Sequence, residues 1–132
     1  MDLPPFRAAM QAEVAGIMLA HILFERLDPR WPASLSPAVA RDLLRERLGF
    51  QGLTLTDDLD MGAIVRNFDI RTAVGQILAA DIDIVLICHK GPNIAAAWEE
   101  IRRRLRDDPA RRADGRRAAE RILALKRRYL GA

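Results

Sequence analysis

Five side chains in this sequence combine reactive type with suggestive placement. Asp57, Asp58 and Asp60 stand directly behind the strand-like stretch "GLTLT" (Gly52–Thr56), in the segment "LTLTDDLDMGA". His21 follows "IMLA" and His89 follows "VLIC", so each histidine also closes an apolar run. A carboxylate at such a position can attack carbon, move a proton, bind a metal or cap a helix. Imidazole offers proton transfer or metal ligation, or simply a satisfied hydrogen-bond pair at a strand end.

Side chains alternate along a strand, so neighbouring aspartates do not act as one cluster. Asp57 shares the parity of Leu53 and Leu55, while Asp58 shares that of Thr54 and Thr56. The two carboxylates are expected on opposite faces. For Asp58 and Asp60, which precedes "MGAIV", the simplest role is capping a short helix. For Asp57, loop hydrogen bonding and catalysis both stand open. Met61 reads as packing and Cys88 as a core residue.

A calcium loop is excluded. "DLDMG" starts like one, but Gly62 falls one position early and the twelfth position is Asp69 rather than glutamate. A transition-metal site made of His21, Asp57 and His89 would draw on three strands with no local ligand spacing, so no metal is expected. Phosphate-binding, dinucleotide-binding and serine-elbow motifs are absent, and no cofactor is expected.

The elements that must position these residues alternate in kind. Three apolar runs read as strands: Val14–Leu19, Gly52–Thr56 and Ile82–Cys88. Such runs suit parallel strands covered on both faces. Between them lie helices. "SPAVARDLLRERLG" has Ser36 as N-cap and Pro37 in the first turn, stops at Gly49, and turns Val39, Leu43, Leu44 and Leu48 inward. Ile70–Ala80 turns Val74, Ile77 and Leu78 inward. A third helix begins near Pro92, with Ile94, Trp98, Ile101 and Leu105 as its stripe. "DDPARRADG" (Asp107–Gly115) reads as a break before a closing basic helix. The order is that of right-handed βαβ units and a parallel sheet, with reactive groups gathered at the C-terminal strand ends. His21, Asp57 and His89 are therefore expected on one rim.

The totals agree with a single domain of 132 residues, half of them apolar, with one cysteine and so no internal disulfide. No signal peptide and no membrane-spanning run is seen, which points to the cytoplasm and away from a membrane. Residues 101–132 carry twelve Lys/Arg against four Asp/Glu. Ala118, Ile122, Leu125 and Tyr129 keep helical spacing there, so the arginines read as the wet face of an amphipathic helix. No nucleic-acid partner is expected.

The segment "GFQGLTLTDDLDMGAI" resembles the nucleophile region of family 3 glycoside hydrolases, in the β-N-acetylglucosaminidase (β-N-acetylhexosaminidase) branch. The flanks agree: "IMLAHILFERLDPRWPASLSPAVARDLLRERLGF" is similar to the stretch before that region, "AADIDIVLICH" to the next strand, and "RILALKRRYL" to the closing helix. The resemblance implies a partial (βα)8 TIM-type barrel. The whole chain, residues 1–132, would be the C-terminal portion of the barrel domain, contributing about three parallel strands. It implies retaining hydrolysis of terminal β-linked N-acetylglucosamine, from amino-sugar glycosides or peptidoglycan fragments, with Asp57 as nucleophile. It also implies substrate-binding positions for His21 and Met61, and no acid/base role for His21.

The same resemblance exposes departures. The family's acid/base histidine lies in a Lys-His-Phe-Pro-Gly-His-Gly segment, which this sequence lacks. The chain by itself is therefore expected to have little activity. The alternative is a non-catalytic barrel fragment whose open sheet edges pair with the missing barrel half or with a second copy. Leu19 replaces the usual threonine before Ala-His, and Asp81-Ile82 stands where Gly-Ala is usual.

Overall fold

The computed structural model describes residues 3–131. Three strands form one parallel sheet in the order β1-β2-β3, with β1 at Gly16–Leu19, β2 at Leu53–Asp58 and β3 at Ile84–Leu86. The helices are α1 (Pro4–Gln11), α2 (Gly62–Val65), α3 (Ile70–Ala79), α4 (Pro92–Asp107) and α5 (Pro109–Leu130). A 3-10 turn at Ala33–Leu35 and a π-helix at Ala38–Arg47 fill the crossover from β1 to β2. The expected strand–helix alternation is present, and the fold is a three-strand α/β portion of the barrel kind. β1 and β3 are shorter than the apolar runs Val14–Leu19 and Ile82–Cys88, whereas β2 extends past Thr56 to take in Asp57 and Asp58.

The β1–β2 register decides which face is covered. Ile17 and Leu19 lie beside Thr54 and Thr56, while Gly16 and Met18 lie beside Leu53 and Leu55. The first face packs on the helices: Leu19, Leu35, Val39, Leu44, Phe50, Ile64, Ile77 and Ile82 share one buried core. Each such side chain contributes about 1.5–3 kcal/mol by leaving water. The second face is covered at Leu53 but open further along, where Met18 is 55% exposed. Alternation carries Asp57 onto this open face.

Local chemistry explains the crossover. Ser36 Oγ accepts from the Val39 amide at 3.2 Å, as the N-cap reading expects. The helix winds wider than an α-helix towards its end, where the Leu48 amide reaches the Leu43 carbonyl at 2.9 Å. Gly49 then takes φ +72° and turns the chain back. Val39, Leu43 and Leu44 are buried as expected. At Gly52 a Cβ would lie 2.5 Å from the Phe50 ring and 3.0 Å from the Ala15 carbonyl oxygen, so β2 is entered through a gap that only glycine fits.

Below the sheet, at the end away from Asp57, lies a charged network. The Asp83 carboxylate is fully buried and accepts from Arg45 at 2.6 Å, from Arg121 at 2.7 Å and from the Thr54 amide at 2.8 Å. Asp81 joins it through Arg121 at 2.8 Å. Asp81 has φ +55°, the left-handed conformation that favours glycine. That explains why the resemblance expects glycine here, while this chain uses the position for an ion pair.

Three sequence expectations are corrected. The Asp107–Gly115 break is confined to Asp108: α5 starts at Pro109 and runs straight through Gly115. Gly115 sits where a Cβ would meet Leu105 at 2.8 Å, so it permits close α4–α5 contact rather than ending a helix. The α4 stripe is rotated. Ala97 and Glu100 are buried, whereas Ile94 and Trp98 are 46% and 62% exposed. Glu100 faces inward because three arginines meet it: Arg103 and Arg104 at 2.6 Å and Arg71 at 3.3 Å. Finally, Tyr129 is 58% exposed, so the apolar face of α5 stops short of it.

Candidate active site

Both ends of the site are set by the sheet. β1 delivers His21, β2 delivers Asp57 and Asp58, and β3 leads into Cys88 and His89. The two histidines flank the end of β2 from opposite sides, and both converge on Asp58 rather than Asp57. His21 Nε2 lies 2.9 Å from the Asp58 carbonyl oxygen, and its Nδ1 lies 2.6 Å from the buried hydroxyl of Ser34. A carbonyl can only accept, so Nε2 carries the proton and the serine donates to Nδ1. His21 is thus a satisfied strand-end histidine with both ring nitrogens engaged. His89 is far more open, with Nδ1 3.4 Å from Asp58 Oδ2.

Asp57 is half-buried. Its Oδ1 accepts from the Asp58 amide at 2.8 Å. Among the described residues, Oδ2 accepts no protein hydrogen bond. One oxygen is therefore anchored while the other is left unengaged by the protein. This arrangement suits a carboxylate that attacks or ligates from a fixed position.

Asp58 and Asp60 do not cap a helix. The residue ahead of α2 is Met61, whose side chain makes no capping bond. Asp58 Oδ1 accepts from the Asp60 amide at 3.1 Å and the Cys88 amide at 3.0 Å, pinning the turn to the end of β3. These amides, the Asp60 one foremost, hold the Asp58 carboxyl below the usual aspartate range. Asp60 Oδ1 accepts from Asn93 Nδ2 at 2.7 Å and so reaches the start of α4. The carboxylates that do cap helices are Asp69, which accepts from the Thr72 amide, and Asp108, which accepts from the Ala110 and Arg111 amides.

Two further readings are corrected. Cys88 is exposed, because β3 ends at Leu86 and the chain leaves the sheet before reaching it. Desolvation and the negative charge of Asp58 push its thiol up, so it is a poor nucleophile. Met61 is 45% exposed at the rim rather than packed. Ser34 and Asn93, which position the site, carried no signal in hydrophobic periodicity, and only the contacts reveal them.

Comparison with known proteins gives a consistent result. The glycosyl hydrolase family 3 N-terminal domain matches residues 1–125. A beta-hexosaminidase of Stenotrophomonas maltophilia (strain K279a) is 38% identical over 88 residues, 67% of this chain and 26% of that protein. One from Thioalkalivibrio sulfidiphilus is 40% identical over 100 residues, 76% of this chain and 28% of that protein. A glycoside hydrolase family 3 beta-N-acetylglucosaminidase from Paenibacillus sp. str. FPU-7 superposes with TM-score 0.88 at 34% identity, covering 96% of this chain and 24% of that one. The chain thus spans about a quarter of the length of these relatives.

Proposed function

The chain belongs to the glycosyl hydrolase family 3 N-terminal domain family, and from that premise we propose that it carries the nucleophile side of a retaining β-N-acetylhexosaminidase site. Residues 1–132 are the C-terminal portion of the barrel domain. Asp57 is the nucleophile. Its free oxygen attacks the anomeric carbon as the glycosidic bond breaks, a glycosyl ester forms, and water then releases the sugar. The substrate class is a terminal β-linked N-acetylglucosamine on an amino-sugar glycoside or peptidoglycan fragment. The beta-hexosaminidase relatives support that choice.

The observation that carries this reading is the Asp57 carboxylate itself. It stands on the open sheet face at the C-terminal end of β2, with Oδ1 held by the next amide at 2.8 Å. His21 acts as a positioning residue through the Asp58 main chain, and Met61 offers apolar surface to the sugar. No helix among the described residues is long and apolar enough to cross a membrane.

Retaining hydrolysis also needs a group that protonates the leaving oxygen. His21 is not free to do so, since Ser34 and Asp58 occupy both nitrogens. The isolated chain is therefore a poor catalyst. The second reading is association without catalysis. An apolar groove lined by Phe6, Ile17, Met18 and Ile22 runs along the unpaired β1 edge, the surface that a barrel half or a second copy would cover.

Hydrolysis of an aryl β-N-acetylglucosaminide tests the proposal in two preparations: the purified chain, and a chimera in which it replaces the matching segment of the Thioalkalivibrio relative. The expected result is a near-silent chain and an active chimera that Asp57→Ala silences. A folded chimera that ignores Asp57→Ala would overturn the assignment.

A further inference from the structure

By sequence placement the candidate metal set is His21, Asp57 and His89, with no metal expected there. The structure assembles a different set. Asp58, Asp60 and His89 each offer one ligand atom, and these atoms all lie within 4.8 Å of one another. They come from three places in the fold: the end of β2, the turn before α2, and the segment after β3.

The spacing has a direct meaning. Zinc bonds to nitrogen and carboxylate oxygen are about 2.0–2.2 Å, so the ligand atoms of a tetrahedral site stand about 3.4 Å apart. His89 Nδ1 and Asp58 Oδ2 are already 3.4 Å apart. The imidazole is 78% exposed, so it can close the remaining gap by a rotamer adjustment without disturbing packing. Both carboxylates are braced from behind. Asp58 Oδ1 is committed to two amides, and Asp60 Oδ1 to Asn93. One oxygen of each remains for a cation. Outer hydrogen bonds of this kind orient metal-binding carboxylates. A set of one imidazole and two carboxylates suits borderline transition cations, whereas calcium and magnesium take all-oxygen shells.

We propose that Asp58, Asp60 and His89 bind one borderline divalent transition cation, with zinc as the reference ion, on the rim beside Asp57. Solvent completes the coordination. Occupancy fastens the ends of β2 and β3 to each other. The site is independent of the glycosidase reading, because it needs neither a sugar nor the rest of a barrel.

Isothermal titration of zinc chloride into the purified 132-residue chain is the test, with circular dichroism of every variant to confirm its fold. One zinc per chain is expected. His89→Ala and Asp60→Asn should each weaken binding on the order of tenfold or more, and Asn93→Ala by about tenfold through the outer shell. Cys88→Ser should leave affinity unchanged. Absence of saturable binding would overturn the proposal. So would a folded His89→Ala chain that binds as tightly as wild type, or a loss confined to Cys88→Ser.

Discussion

His21 reaches from the end of β1 to the main chain of Asp58, with Nε2 2.9 Å from the carbonyl oxygen. That bond holds the carbonyl side of Asp58, the residue whose own amide anchors the Asp57 carboxylate. Removing the ring strands the Ser34 hydroxyl, which is fully buried. His21→Ala should therefore destabilise the chain by about 1–3 kcal/mol. Urea unfolding followed by far-UV circular dichroism measures it. A His21→Ala midpoint equal to wild type would show that the link carries no stability.

Asp83 offers a larger effect. Its carboxylate has no exposure and neutralises Arg45 and Arg121 while accepting from the Thr54 amide. Asp83→Ala leaves both guanidiniums without their buried partner and should cost about 3–5 kcal/mol. Asp83→Asn keeps the acceptor for the amide and should cost less. Equal melting temperatures for the two variants would contradict this ordering.

Glu100 sets an acid limit. Hydrogen bonding from Arg103 first, then Arg104, lowers its carboxyl from an ordinary 4.5 to about 2. A depressed carboxyl contributes stability that is fully present above pH 4.5 and fades as pH falls towards 2. Wild-type melting temperature should drop across that window. Glu100→Gln should start lower and show a flatter slope there. Parallel pH profiles would assign the acid sensitivity to other groups.

Gly52 tests the entry to β2. A methyl group there meets the Phe50 ring and the Ala15 carbonyl. Gly52→Ala should cost about 1–3 kcal/mol by overpacking. An unchanged denaturation midpoint would mean that the Phe50 ring moves freely.

The strand–helix order was readable in the sequence because hydrophobic runs and caps carry it: Ser36, Gly49, Val74 and Ile77 all behave as their local pattern dictates. The failures share a physical cause. Trp98 and Ile94 looked like a buried stripe, but Glu100 is turned inward by arginines, one of them on another helix, which no single-helix periodicity records. Gly115 looked like a stop and instead serves close helix contact. In the site, Asp57 accepts from the next amide, whereas Asp58 accepts from the Asp60 and Cys88 amides. Alternation along one strand could not show that Asp58 lies between both histidines, because those contacts join residues more than 30 positions apart.

The claim that Asp57 forms the glycosyl ester is tested most directly by peptide mass spectrometry. The active chimera, treated with a fluorinated N-acetylglucosamine analogue that slows release of the ester, should carry one sugar on the peptide containing "LTLTDDLDMGA". Fragmentation should place it on Asp57, and Asp57→Ala should abolish it while lowering kcat at least on the order of a thousandfold. A sugar found on Asp58 or Asp60, or turnover that survives Asp57→Ala, would contradict the account.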